Sequence, residues 1–195
     1  MRYQESKEYI LKRMKAELPA YLTYHDYYHT IDVLEMSTQI AKEEGINEEP
    51  ELIILKTAAL YHDSGFLTTY NMHEAESCTI ARSILPSFSY AEDQIEKICS
   101  LIQATIIPQA PNTHLEKILA DADLDYLGRD DFYTIAESLF KELRHKGIVF
   151  NELEWDQIQV KFLKQHHYFT PTSIEKRKSS KEKHLNELVL KISNA

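Results

Sequence analysis

Cysteine is almost missing from this chain. The two present, Cys78 and Cys99, do not form a CxxC pair, which argues against a zinc knuckle or a dithiol redox motif and suits a reducing, cytoplasmic setting. Glycine is equally scarce, at four residues, and proline numbers six. No Asn-Gly hairpin signal occurs and no segment alternates strictly over a strand's length, so nothing points to a sheet. Basic charge is in deficit, with 22 Lys and Arg against 31 Asp and Glu and a net charge of -9. General nucleic-acid binding needs the opposite balance, because basic groups must replace the counterions of the phosphate backbone. A small phosphorylated ligand stays compatible, since a bound cation inverts the local field. No apolar stretch is long enough to span a bilayer, and Met1-Arg2-Tyr3-Gln4-Glu5 has no apolar signal core. The expectation is a soluble protein with no membrane partner.

What is present is helical spacing. At 195 residues the chain suits one domain with one sizeable core. Ile10, Leu11, Met14 and Leu18 share a face, as do Ile95, Ile98, Cys99, Ile102 and Ile106. The runs 131–146 and 152–165 repeat the pattern. The few breakers sit where helices should stop or start: Gly45 after one periodic segment, Pro50 in the first turn of the next, Pro86 ending another, Pro108 and Pro111 around a loop, and Gly128 and Gly147 closing two more. The reading is all-α, a single compact bundle of about eight or nine helices over residues 1–195. Its motif core covers about 24–128, with the helices of 129–195 packed on it. The charged stretch from Glu175 to His184 reads as a solvated helix start, with a phosphate contact by Arg177 or Lys178 as the minor alternative. Arg82, Arg129, Lys56 and Lys141 likewise read as solvent-exposed before they read as phosphate contacts.

The chain is organised around Tyr61-His62-Asp63-Ser64-Gly65, which ends the apolar run 52–60. An adjacent His and Asp are costly to bury there unless something binds them, and a metal ion would do so. Partner ligands lie on both sides: His29 in Tyr24-His25-Asp26-Tyr27-Tyr28-His29-Thr30-Ile31-Asp32-Val33, and Asp121 and Asp123 in Leu119-Ala120-Asp121-Ala122-Asp123-Leu124. Each alone has an ordinary explanation as a packed histidine or a surface acid. Together they form a mixed N/O set suited to a hydrolytic divalent metal.

These blocks resemble the HD superfamily of metal-dependent phosphohydrolases. The stretch around His29 also resembles a block of cyclic-nucleotide phosphodiesterases within it. The likeness as a whole is to small stand-alone bacterial predicted phosphohydrolases, which carry His-Asp, then Glu-x-x-Ser, then Asp-Ala-Asp-Leu-x-x-Leu-Gly. Here these are His62-Asp63, Glu74-Ala75-Glu76-Ser77 and Asp121 through Gly128. The resemblance implies metal ligation by His29, His62, Asp63 and one of the last two aspartates. Asp121 is preferred because Leu119-Ala120-Asp121 fits the superfamily register; Asp123 is the alternative. Being two apart on a helix, they point to different faces, so only one should ligate.

The resemblance also implies that His25 protonates a leaving oxygen, a task its pKa suits; a helix-start residue beside a capping Asp26 is the competing reading. Asp63 would bind the metal or orient the attacking water. Glu74 would serve as a general base or support a ligand, and His73 would ligate a second metal; an exposed first turn is the alternative for both. Departures narrow the reading. Ser64-Gly65-Phe66-Leu67 stands where alarmone hydrolases carry an acidic pair. Gln103 stands where two-metal members carry a histidine, which argues against a full two-metal cluster and the oxygenase branch. Phe66 replaces a phosphodiesterase histidine. The aromatic set Tyr24, Tyr27, Tyr28, Tyr61, Phe66 and Tyr70 either stacks on a base or packs the core. The expected activity is hydrolysis of a phosphate ester of a nucleotide or related small metabolite by metal-activated water. The metal is Mn, Fe, Ni, Zn or Mg. The alternative is a non-catalytic metal- or nucleotide-binding signalling module.

Overall fold

The computed structural model describes residues 1–194, and among these the regular structure is all helical. The α-helices are α1 (Tyr3–Glu17), α2 (Tyr27–Glu43), α3 (Glu49–Tyr61), α4 (His73–Ile84), α5 (Glu92–Gln103), α6 (His114–Asp123), α7 (Phe132–His145), α8 (Glu152–Gln165) and α9 (Pro171–Ser193). Short 3-10 turns follow α3, α4 and α6 at Ser64–Leu67, Leu85–Phe88 and Asp125–Gly128. The chain packs as two compact units. One holds Met1–Pro19 and His25–Asp123; the other holds Ala20–Tyr24 and the chain from Leu124 onward. No helix among the described residues is long and apolar enough to cross a membrane.

The first unit contains α1 to α6. Its core is built from the stripes read in the sequence, including Ile10 and Met14 of α1, Val33 of α2, Leu55 and Leu60 of α3, Ile98 and Ile102 of α5, and Ile118 and Leu119 of α6. α3 is buried along most of its length, which its near-continuous apolar run requires. Two buried hydroxyl pairs tie the helices together: Tyr61 with Ser6 at 3.0 Å and Tyr90 with Thr57 at 2.8 Å. Ile106 departs from its expected face. α5 ends at Gln103, so Ile106 falls in the loop that follows and is exposed.

Local chemistry sets the helix boundaries. Asp26 opens α2, its carboxylate accepting from the backbone N–H groups of Tyr28 (2.7 Å) and His29 (2.9 Å). α6 opens on a reciprocal capping box. Thr113 Oγ1 accepts from the Glu116 N–H (3.2 Å), while Glu116 Oε2 accepts from the N–H groups of Asn112 (2.7 Å) and Thr113 (3.0 Å). Pro50 lies in the first turn of α3, and Gly45 takes the left-handed conformation after α2.

The second unit contains α7 to α9 around Tyr24, Tyr126, Phe132, Phe140, Trp155, Leu163 and Leu188. Gly128 closes a 3-10 turn rather than an α-helix. A Cβ there would stand 2.4 Å from the Arg177 carbonyl oxygen, so only glycine permits that approach to α9. The stretch 175–184 is not the solvated helix start its charge suggests. It runs through the middle of α9 and buries Lys181 and His184. Arg177 donates through Nε to Asp125 at 2.8 Å. Arg129 is mostly buried too, against expectation, with its guanidinium on Asp131 at 2.9 and 2.8 Å.

Candidate metal centre

The site lies in the first unit, where α3 stops. Two side chains finish that helix by serving its last carbonyls. Ser64 Oγ donates to the Tyr61 carbonyl (2.7 Å), and His62 Nδ1 bonds the Ala59 carbonyl (2.8 Å). A carbonyl only accepts, so Nδ1 carries the hydrogen, and in the neutral ring Nε2 holds a lone pair.

That Nε2 faces a ring of ligand atoms. Asp63 Oδ2 is 3.2 Å away, Asp123 Oδ1 3.4 Å and His29 Nε2 3.4 Å. His29 Nε2 in turn lies 3.2 Å from Asp123 Oδ1 and 3.5 Å from Asp63 Oδ2. His29, His62 and Asp123 form a group that could hold a metal ion. Three elements meet here: α2 brings His29, the end of α3 brings His62 and Asp63, and the end of α6 brings Asp123. Asp63 Oδ2 is buried with no hydrogen-bond partner. A bare carboxylate oxygen and a ring lone pair 3.2 Å apart are reconciled only by a proton or a metal cation. The donor set therefore fits a divalent ion of the imidazole–carboxylate class.

The electrostatics follow. Burial of the His62 ring favours its neutral form, but Asp63 and Asp123 outweigh burial and hold its pKa well above the usual value. Burial would raise Asp63, yet the neighbouring imidazoles keep it well below the usual carboxylate range. Asp123 is lowered in the same way, against its burial, by hydrogen bonds from His29 and His62.

Asp123, rather than Asp121, joins the imidazoles. Asp121 is fully buried, and a two-residue step turns about 200° round an α-helix, so the two carboxylates leave α6 on different sides. The rotation of α6 in the packed unit decides which one faces His29.

The other candidates sit beside this group. His73 opens α4, with Nε2 3.3 Å from Asp63 Oδ1 and 3.5 Å from Glu74 Oε1. Burial pulls its pKa down, but Asp63 and Glu74 prevail and raise it. Glu74 thus reaches the site's edge through His73. His25 lies just outside α2, because Asp26 caps that helix. It is not on a helical face with His29, yet the rings stand 6.0 Å apart at their centroids. Phe66 packs against both His25 (4.4 Å) and His73 (4.0 Å), whose own rings stand 5.9 Å apart. Tyr61 is core and Tyr28 is exposed. Gln103 is exposed at the end of α5.

Ser77 carries a role that its place in the sequence does not announce. Its hydroxyl donates to the His62 carbonyl (2.6 Å) and accepts from the Gly65 N–H (2.8 Å). The turn after His62-Asp63 is thereby fastened to α4. Gly65 lies so close to α4 that a Cβ would stand 2.0 Å from the His73 carbonyl oxygen. The only sequence signal was the serine three residues after Glu74.

Comparison with known proteins gives two findings. A family model described as HD domain matches residues 26–125. The crystal structure of Bacillus subtilis YpgQ in complex with ADP resembles this one with a TM-score of 0.67 at 18% identity, covering 100% of this chain and 97% of that one. At that identity the likeness speaks to the fold. No curated protein matches in sequence.

Proposed function

The chain belongs to the HD domain family, and from that premise we propose that it is a metal-dependent phosphohydrolase acting on a phosphate ester of a nucleotide or related small phosphorylated metabolite. The observation that carries the proposal is the buried Asp63 Oδ2, without a hydrogen-bond partner and 3.2 Å from Nε2 of His62. His29, His62, Asp63 and Asp123 would hold the ion. A divalent metal, when bound, polarises a phosphoryl oxygen and lowers the pKa of water to near neutrality.

The chain's own groups divide the remaining work. The Nδ1–H bond to Ala59 fixes the tautomer and orientation of His62. Asp63 has two faces, Oδ2 toward the two metal-binding imidazoles and Oδ1 toward His73. It is therefore placed both to ligate and to orient a proton held on His73. Glu74 supports His73 from the other side. His25, packed on Phe66 at the edge of the group, is the candidate to protonate the leaving oxygen. A nucleotide is the favoured substrate class because the structural neighbour was crystallised with ADP.

The test pairs metal analysis of the purified chain with phosphate release from nucleoside mono-, di- and triphosphates and simple phosphodiesters in added Mn2+. Turnover should vanish in His62→Ala and Asp63→Ala. A metal-loaded chain that binds nucleotides saturably but releases no product from any of them would refute the hydrolase reading and leave a binding module.

A further inference from the structure

The second unit contains a cavity of about 380 Å³ between the end of α8, the segment after it and α9. That is within the size range of small-ligand pockets. Its notable member is Lys181, only 6% exposed. The ammonium donates to the His166 carbonyl, lies 3.3 Å from His166 Nδ1 and sits 5.6 Å from the centre of the Tyr168 ring. Among the described residues no carboxylate stands within ion-pair distance of it; Glu182, next in sequence, instead reaches Lys178 at 4.0 Å. A carbonyl at a helix end offsets part of the cost of burying an ammonium but does not neutralise it. Burial accordingly lowers the Lys181 pKa.

The surroundings are consistent with a counter-charge from outside the chain. Exposed Lys164, His167 and Lys178 also line the cavity, as does Glu182, which faces Lys178 at 4.0 Å, while Leu163 and Ile174 supply apolar wall and Tyr168 a ring. Basic groups beside an apolar wall match a ligand with one anionic group on a flat or apolar body. We propose that this cavity is a binding site for a small organic anion, a phosphate monoester or carboxylate of aromatic size, with Lys181 as its principal charge contact. The site is independent of the metal centre, because every residue that forms it lies in the second unit.

Calorimetry on the full chain with metal removed by chelator tests this, since the metal centre cannot then hold a phosphate. The probes are phenyl phosphate, benzoate, inorganic phosphate and the neutral benzyl alcohol. Phenyl phosphate or benzoate should bind saturably, inorganic phosphate more weakly and benzyl alcohol not at all. Lys181→Met, which keeps the stem and removes the charge, should weaken binding at least tenfold. Because Lys181 also serves the end of α8, the Lys164→Gln/Lys178→Gln double variant provides a second test, with binding about threefold weaker at low salt. No saturable binding of either organic anion, equal binding of benzyl alcohol, or undiminished affinity in either variant would overturn the assignment.

Discussion

Replacing Ser77 by alanine is a small change with a large expected effect. The hydroxyl makes two buried hydrogen bonds, of 2.6 Å to the His62 carbonyl and 2.8 Å to the Gly65 N–H. Alanine leaves both backbone groups unpaired at a fully buried position. Each stranded group costs about 1–3 kcal/mol. The two together should lower stability by about 2–6 kcal/mol, a large share of the ~5–15 kcal/mol that holds an ordinary domain folded. The loss should register in a urea titration of the metal-free chain as a lower midpoint with an unchanged slope. Amide exchange at Gly65 should quicken. Metal affinity should fall about 10–100-fold, as it does when groups that orient ligands are removed. Ser64→Ala is the internal control: it strands only the Tyr61 carbonyl, so it should cost about half as much. A Ser77→Ala chain within about 0.5 kcal/mol of wild type, with Gly65 still protected, would refute the view that this hydroxyl fastens the metal-binding turn to α4.

Other perturbations separate the remaining roles. Gly65→Ala places a Cβ 2.0 Å from the His73 carbonyl oxygen, a backbone atom that cannot swing aside; it should destabilise by more than about 3 kcal/mol, or displace α4 and abolish metal binding, as read by thermal unfolding and metal analysis. Asp123→Asn should lose at least tenfold in metal affinity while Asp121→Asn retains it; the reverse order in a metal titration would restore the register in which Asp121 ligates. Glu116 gives a pH signature. Burial would raise its pKa, but hydrogen bonds from Ser100, Thr113 and Asn112 hold it below the ordinary 4.5. A depressed carboxylate stabilises the fold fully above its unfolded pKa and loses that contribution as pH falls through the folded value. The stability gap between wild type and Glu116→Gln should therefore be widest at neutral pH, about 1 kcal/mol, and shrink below about pH 4.5 in urea titrations; a gap that widens in acid would contradict the capping-box account.

The helices were legible because their apolar stripes recur at helical spacing and their breakers sit at the ends. The adjacent polar pair closing an apolar run showed that His62 and Asp63 need a partner, and the resemblance to the HD superfamily pointed to His29 as one. The choice between Asp121 and Asp123 was not, since both registers fit the same sequence and only the seating of α6 tells them apart. His25 and His29 are four residues apart, a spacing that shares a face within a helix, but the carboxylate between them starts the helix at Tyr27. Charge concealed burial in 175–184. The letters give two potential phosphate contacts and a polar surface, whereas the fold turns Arg177 onto Asp125 and carries Lys181 inside.

The cap on α2 has an outcome for how negative charge is received. A free helix start can cradle an anion with its first amides, yet here Asp26 already occupies those of Tyr28 and His29 with a charge of its own. An incoming phosphoryl group therefore gains nothing from the dipole of the helix that carries His29, and meets a carboxylate there instead. Under the proposed function, attraction for such a group falls to the bound cation, so stripping the ion should weaken substrate capture as well as turnover.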